Sequence, residues 1–505
     1  MYKRHTGQIS MLESPEMFGS LPLDPNNDWV KLSRLVPWEA FDRKYAENFR
    51  SKRGQRAIDS RIALGALLIK PAYKGMSDEN LTKEIAMNPY LQYFLGLQEY
   101  RYECPFDASM MTRFRQRIKP EMLSWVNDQI IGRKTEEGSK DVQRDDIHDA
   151  PADGEGYEGK GDGQEGGCED SETPNEGTLI LDATCAPQDI RFPTDVSLLN
   201  EAREKTEGII DILHGQGLSD DGKPRTYRQV ARGKYNGFSK ARKKTAKMVR
   251  TAKRQQLQYL RRNLRFIDDY ERRHPGCLQR LSSRKQTMLQ VIRTLCMQQD
   301  AMYQSGTHRI ADRIVSLSQH WIRPIVRGKQ NADVEFGAKV EMSVVDGFLR
   351  IEDLRWDAFN EGTTLQASVE AFRNAYGHYP ARVLADRIFR TRENLRYCKE
   401  HDIHMNGPKL GKPNTDPVVA KEQRKLEWLE SGERGEIERK FGVCKRRYNL
   451  DCIVTKLRET SEVLIHSIVL FMNLQKKLRL LLRTFFRRLY FLPDEFYEPR
   501  ILAIA

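Results

Sequence analysis

Three acidic residues of this chain stand at recognisable points of predicted strands or helices. Asp182 ends the apolar run of residues 179–181, which is typical of a buried strand. Asp386 ends a similar run over residues 381–385, and a helix is predicted soon after it. Glu438 lies in a proline-free stretch with helical spacing. A carboxylate therefore follows each of two predicted strands, and a third stands on a predicted helix.

Metal binding is the chemistry that such carboxylates offer together. Hard divalent cations such as Mg²⁺ prefer oxygen ligands, and two ions about 4 Å apart stabilise both the attacking and the leaving oxygen at a phosphate. Arg434, Phe441 and Lys445 share a helix stripe with Glu438, because residues three or four apart are neighbours. An arginine fork and a lysine charge suit phosphate oxygens. Each signal is weak alone, since a strand-end Asp is more often a cap or a turn residue.

Several segments in the last two thirds of the chain resemble the DDE transposases of bacterial insertion sequences, in the branch typified by insertion sequence five. These segments are residues 181–184, 335–340, 344–347, 356–362, 384–387, 437–442 and 445–448. The arginine, glutamate and lysine of that family's final helix match Arg434, Glu438 and Lys445 in spacing. The insertion-sequence-four branch has a tyrosine where Ser431 stands here, so the pattern favours the first branch.

The resemblance implies a ribonuclease H-like catalytic domain and a metal-dependent transposase. Asp182, Asp386 and Glu438 would be the catalytic ligands of two Mg²⁺ ions, or of Mn²⁺, which the same oxygens accept. Arg434 and Lys445 would bind DNA phosphates. The reaction would be cleavage at the terminal inverted repeats and strand transfer into target DNA by a homodimer or larger assembly. The alternatives are a catalytically inactive transposase-derived DNA-binding protein and a ribonuclease H-like nuclease.

The order of predicted elements fits an α/β ribonuclease H-like domain over residues 177–505, interrupted by a helical insertion at about residues 195–325. A hairpin is predicted at Asp346-Gly347, since both residues tolerate a positive φ, and Asp346 is therefore interpreted as a turn residue and not as a metal ligand. The later predicted elements are a helix at residues 364–376, a strand at 403–405 and a closing helix at 461–490 that packs on the sheet.

The preceding domain, residues 1–133, is predicted to be all-α, with apolar helical patterns at residues 62–69, 78–87 and 90–97. Ser109 is predicted to cap a short basic helix that follows a turn. A short basic helix in this position fits a helix-turn-helix-like reader of DNA. Its candidate DNA contacts are Arg113, Arg115 and Arg117. A solvated basic face without a DNA partner is the alternative.

Charge is divided unevenly along the chain. Residues 134–176 contain 15 Asp or Glu and 4 Lys or Arg, with few large apolar residues, and are predicted to be an acidic disordered linker. The whole chain has a formal charge of +13, so the remainder carries +24. Such an excess favours double-stranded DNA as partner. Lys243 and Lys244, on a charged helix predicted over residues 239–273, are candidate DNA contacts, with a solvated helical hairpin as the alternative.

Length and composition agree with a protein of two or three domains. The 505 residues are 39% hydrophobic, which is enough for sizeable cores. The eight cysteines are scattered singly without zinc-type spacing, which favours a reduced setting. No export signal or membrane span is predicted. We therefore expect a cytoplasmic, nucleoid-associated bacterial protein.

Overall fold

The computed structural model describes Tyr2 and residues 15–49, 57–132, 174–216, 222–329, 332–408 and 417–489. A helical N-terminal region is followed by an α/β domain with a mixed sheet. The predicted acidic linker lies outside the described residues, apart from residues 174–176. Within the described ranges, no helix is long and apolar enough to cross a membrane.

Helices make up the N-terminal region, as predicted. They are α1 (Asp28–Ser33), α2 (Trp38–Ala46), α3 (Ser60–Ile69), α4 (Asp78–Met87), α5 (Pro89–Phe94), α6 (Met110–Arg117) and α7 (Pro120–Ile131). Helix α4 begins where the Ser77 side chain accepts a hydrogen bond from the amide of Asn80. The predicted cap at Ser109 is wrong, because its side chain makes no capping hydrogen bond and its amide donates instead to Asp107 at 2.9 Å.

Six strands of the described chain form one sheet. They are β1 (Thr178–Pro187), β2 (Arg323–Lys329), β3 (Ala332–Val345), β4 (Phe348–Arg355), β5 (Arg382–Ala385) and β6 (His404–Met405). Strand β3 pairs antiparallel with β1 on one side and with β2 and β4 on the other. On the far side of β1, strands β5 and β6 continue the sheet in parallel. The predicted hairpin between β3 and β4 is confirmed, with φ of 50° at Asp346 and 71° at Gly347.

Further helices lie along and beside the sheet. They are α8 (Asp195–Gly215), α9 (Arg228–Lys240), α10 (Ala246–Arg273), α11 (Ser283–Ser305), α12 (Leu365–Tyr376), α13 (Arg392–Glu400), α14 (Pro417–Tyr448) and α15 (Arg458–Leu489). Helices α8 to α11 form the predicted insertion and have a core of their own. The prediction of one helix over residues 239–273 is wrong, because α9 ends at Lys240 and the Thr245 side chain caps α10.

Helix α15 joins the N-terminal helices to the sheet. The Asn473 side chain on α15 donates to the Leu349 carbonyl of β4 and to the Asn127 side chain of α7, each at 2.7 Å. Apolar residues of α3, β3, α14 and α15 belong to one continuous core. The prediction that the closing helix packs on the sheet is therefore confirmed, and the N-terminal helices share their core with the α/β domain.

Candidate active site

Strand register brings Asp182 and Asp386 together at one edge of the sheet. The last parallel pair between β1 and β5 is Leu181 with Ala385, so the two aspartates are the next residues of adjacent strands. Strand β1 does not end at Asp182 as predicted, because its second half continues in pairing with β3 as far as Pro187. Asp182 is thus inside a long strand, at the point where its parallel neighbour stops.

Both aspartates lie on the face of the sheet that α14 covers. Ile180 packs in the same core as Ile437 of α14, whereas Leu181 packs in the core beneath α12. Because side chains alternate along a strand, Asp182 lies on the α14 face with Ile180. The same alternation places Asp386, two residues after Leu384, on that face. The sheet and α14 therefore bring all three predicted carboxylates to one region.

Arg434 lies between the carboxylates of β5 and α14. Its Nη1 is 3.9 Å from Asp386 Oδ1, and its Nη2 is 3.6 Å from Glu438 Oε1. Asp386 and Glu438 are 55% and 59% exposed, while Arg434 is 22% exposed. Such exposed carboxylates remain open to a ligand from solvent, and the guanidinium of Arg434 supplies a positive charge near both.

Asp182 is a carboxylate whose pKa is raised by its surroundings. Burial raises its pKa to about 6, and the charges of Glu361 and Asp386 act in the same direction. The hydrogen bond from the Ala183 amide at 2.8 Å and the charge of Arg434 act in the opposite direction. A cation bound beside Asp182 would relieve this excess of negative charge.

The raised pKa of Asp182 predicts a pH dependence of stability in the metal-free protein. Because the folded state holds this proton up to about pH 6 and the unfolded chain releases it near its ordinary pKa of 3.8, the contribution of Asp182 to stability falls as pH rises between these values. The Asp182→Asn variant lacks this loss of stability, because asparagine has no carboxyl proton to release. We expect it to gain in melting temperature relative to the wild type between pH 4 and 7, as measured by thermal unfolding in EDTA. Parallel pH profiles for the two proteins would contradict the assignment.

The donor atoms suit a hard divalent cation, since all are carboxylate oxygens. In the described residues, however, no group of three or more His, Cys, Asp or Glu side chains is gathered as a set of metal ligands. Arg434, at 3.9 Å from Asp386 and 3.6 Å from Glu438, is the counterion of these two acids in this structure. The acids therefore suit a hard cation in the chemistry of their oxygens, and their elements meet at one edge of the sheet.

Lys445 lies on the same helix as Glu438, two turns further along. Its side chain is half-buried, and its backbone carbonyl accepts a hydrogen bond from Lys74 Nζ at 2.9 Å. Lys74 also pairs with Asp451 at 2.9 Å, so this end of α14 is held by the N-terminal region.

The three arginines of α6 differ in their surroundings. Arg113 is exposed, and Arg117 is half-buried with its guanidinium 5.4 Å from the Phe49 ring centre. Arg115 is 4% exposed, and its guanidinium forms two hydrogen bonds of 2.8 Å to the carboxylate of Asp78. The prediction that Arg115 contacts DNA is wrong, because this side chain joins α6 to α4 inside the N-terminal region.

Lys243 and Lys244 lie in the connection between α9 and α10, and both are exposed. Lys244 Nζ is 5.6 Å from the Phe238 ring centre. Around them, residues 222–267 carry sixteen Lys or Arg and no Asp or Glu. Helix α9 buries only Ala231 among its thirteen residues. We call residues 222–254 the basic arm.

Glu361 and Lys339 also belong to the region of the candidate active site, although sequence reasoning assigned them no role. Both occur in segments that carry the family resemblance. Lys339 Nζ is 2.8 Å from Glu361 Oε1. The negative charge of Glu361 contributes to the raised pKa of Asp182. The sequence shows a lysine and a glutamate in two separate segments of the family resemblance. Their pairing appears only in the folded chain.

Two family models match the chain, one in the α/β domain and one in the helical N-terminal region. The transposase DDE domain matches residues 383–475, which include Asp386 and Glu438. A transposase domain, DUF772, matches residues 20–117 of the helical region. The resemblance to the DDE transposases is confirmed. The DDE match does not extend to Asp182, and the DUF772 match covers α1 to α6.

The chain is also similar to an uncharacterized protein from Rhizobium meliloti, ORF8 in nfe locus. It is 34% identical to this chain over 101 residues, which are 20% of this chain. The chain spans about half of that relative, 48% of its length. No solved structure matches the chain significantly.

Proposed function

We propose that this protein is an insertion-sequence transposase of the insertion-sequence-five type, which cleaves DNA at the element ends and joins them to target DNA. The observation that carries the proposal is the juxtaposition of Asp182 and Asp386 on adjacent parallel strands, facing the helix that bears Glu438. The two transposase-domain matches support it from sequence.

Sheet order supports a ribonuclease H-like catalytic domain. Without β2 and the helical insertion, the strand order is β4-β3-β1-β5-β6, with three antiparallel strands followed by two parallel ones. Chain order in the rest of the domain is the one that this fold would require, with α12 between β4 and β5 and α14 after β6. The insertion between β1 and β2 has a core of its own, and Asp386 is 55% exposed.

In this proposal Asp182, Asp386 and Glu438 would hold divalent cations, Mg²⁺ or Mn²⁺. When bound, such ions would supply Lewis-acid activation of the attacking hydroxyl and charge stabilisation at the leaving oxygen. Arg434 neutralises Asp386 and Glu438 before DNA binds, and its guanidinium then moves to a phosphate, which it binds as a fork. Lys445 adds a positive charge further along the same helix.

The basic arm is the proposed surface for the DNA backbone in the insertion. Some of its cations are paired internally, as Arg228 is with Asp211 at 2.6 Å. Others, including Lys243 and Lys244, point to solvent in a stretch without any acidic residue. A surface of this kind binds phosphates without reading sequence. Arg113 and Arg117 of α6 would add contacts from the N-terminal region.

Charge reversal in the basic arm tests this surface. We expect Lys243→Glu/Lys244→Glu to weaken binding of any DNA duplex by about tenfold or more at low salt and to reduce the salt slope by about two, because each phosphate contact releases about one counterion. Fluorescence anisotropy across a salt series measures both quantities. Arg284→Glu/Lys285→Glu, an equal charge change on exposed positions of α11, is the control. Equal losses in the two variants would mean that only net charge matters.

Strand transfer separates a transposase from its alternatives. The test supplies an element end already cut to a free 3′-hydroxyl, together with a plasmid target and Mg²⁺. A transposase joins the end to the plasmid, and the joining is lost in Asp386→Ala. Specific end binding without joining would support a transposase-derived DNA-binding protein, and hydrolysis of the end without joining would support a nuclease.

A homodimer or larger assembly on paired ends is part of the proposal.

A further inference from the structure

Helix α14 has an outer face that the candidate active site does not use. Ile437 and Cys444 of this helix are buried in the core that α14 shares with the sheet and α15. At 3.6 residues per turn, a set of exposed side chains lies on the opposite side of the helix. We call this set the outer face of α14, and its members are Lys421, Arg424, Lys425, Trp428, Arg439 and Arg446.

The charged side chains of the outer face are all positive. Between residues 421 and 446 the helix also carries six glutamates, but helical spacing places every one of them on another side. A helix that faces only solvent typically alternates positive and negative charges along its surface. Separation of the cations onto one side instead favours a negatively charged partner on that side.

Glycines lie between the cations of the outer face. A Cβ on Gly435 would come within 3.3 Å of Arg439 Nη1. A Cβ on Gly442 would come equally close to Arg446 Nη2, while a Cβ on Gly432 would meet nothing within 4 Å. Glycine is unfavourable inside a helix, so three of them on one side need a reason. Their lack of side chains lets the backbone of a partner approach the helix closely.

The outer face adjoins the candidate active site. Arg439 directly follows Glu438, so the two side chains point about 100° apart around the helix. From Lys421 to Arg446 the face is about 38 Å long, which is close to one turn of duplex DNA, about 34–36 Å. A duplex that lies along the outer face would therefore pass beside Glu438.

Trp428 adds an aromatic surface to the cations. Its side chain is 65% exposed, and Arg424 and Lys425 precede it by about one turn. An indole beside cations suits a nucleic acid, because a base stacks on the ring while phosphates meet the positive charges. Trp428 lies ten residues before Glu438, about 15 Å along the helix axis.

We propose that the outer face of α14 binds the phosphate backbone of the DNA that enters the candidate active site, and that Trp428 stacks on an unpaired base beside the cleavage position. This inference rests on the proposed function, because the ligand is the DNA that the transposase cuts. A second copy of the same face is disfavoured as the partner, since two faces that carry only positive charge repel each other.

The first test compares Arg446→Ala with Arg447→Ala. Both residues are exposed arginines of α14, but Arg447 lies outside the outer face. Fluorescence anisotropy with a labelled element-end duplex in EDTA gives the affinity across a salt series. We expect Arg446→Ala to weaken binding by about threefold to tenfold and to reduce the salt slope by about one, and Arg447→Ala to match the wild type. Equal values for the two variants would overturn the inference.

The second test replaces Trp428 by alanine and uses the same duplex with a single-stranded 3′ tail. We expect binding about tenfold weaker with an unchanged salt slope, because stacking releases no counterions. If Trp428→Ala instead kept its DNA affinity and changed the oligomeric state of the DNA-free protein in sedimentation velocity, the face would be a protein interface and the inference would fail. The proposed function fails differently, since the wild type would then bind this DNA but neither cleave nor join it.

Discussion

Replacing Glu438 by glutamine is expected to reduce metal-dependent DNA cleavage by about a thousandfold, which corresponds to about 4 kcal/mol of lost transition-state stabilisation. Glutamine has nearly the same shape, but it is uncharged and a poor ligand for a hard cation. Glu438 is 59% exposed, so its replacement should leave folding intact. The measurement is the single-turnover rate of cleavage on DNA that carries the element ends.

Glu422→Gln is the matched control for this loss of charge. Glu422 is an exposed acid on the same helix, about four turns before Glu438, and it has no place in the proposed site. Its cleavage rate should equal that of the wild type. If the Glu438→Gln protein cleaved at the wild-type rate, Glu438 on α14 would not be part of the proposed catalytic centre.

Replacing Arg115 by alanine is expected to destabilise the protein by about 3 kcal/mol. Removing one partner of a buried ion pair typically costs about 3–5 kcal/mol, and the lower value applies because Lys70 still faces Asp78 at 2.9 Å. Burial acts to raise the pKa of Asp78. The hydrogen bonds and charges of Arg115 and Lys70 outweigh burial and hold this pKa below its usual value. Urea denaturation followed by circular dichroism gives the free energy of unfolding.

Arg113→Ala is the control on the same helix, because Arg113 is exposed. It should change the free energy of unfolding by less than about 0.5 kcal/mol. Under the proposed function it should also weaken DNA binding, whereas any effect of Arg115→Ala on binding should follow from the fraction of unfolded protein. If Arg115→Ala were as stable as Arg113→Ala, the ion pair with Asp78 would not contribute to folding.

Elements with a strong local signal were predictable from sequence. Helices α3 and α4 follow from apolar periodicity, and the hairpin at Asp346-Gly347 follows from two residues that tolerate a positive φ. The break between α9 and α10 was missed because uniformly basic residues mask helix ends, although Thr245 is a good capping residue. Strand β2 was also missed, since its pairing with β3 depends on residues adjacent only in the fold.

The site was predictable in part. Asp182, Asp386 and Glu438 could be proposed from sequence because each stands at a recognisable point of a strand or a helix, and the fold brings their elements together. Their roles as catalytic ligands stay predictions. The burial of Arg115 was not predictable, because its partner Asp78 lies 37 residues earlier in the chain. The pairing of Glu361 with Lys339 was missed for a similar reason, since only the tertiary structure brings the two residues together.

The most direct test of the proposed transposase is cleavage of DNA that carries the flanks of this protein's own gene. The purified chain is incubated with Mg²⁺ or with EDTA, and the cut ends are mapped to single nucleotides in parallel with Asp386→Ala. We predict Mg²⁺-dependent cuts at the element ends that leave free 3′-hydroxyl groups and that are absent from the variant. Cleavage that continues in Asp386→Ala would contradict the assignment of the site.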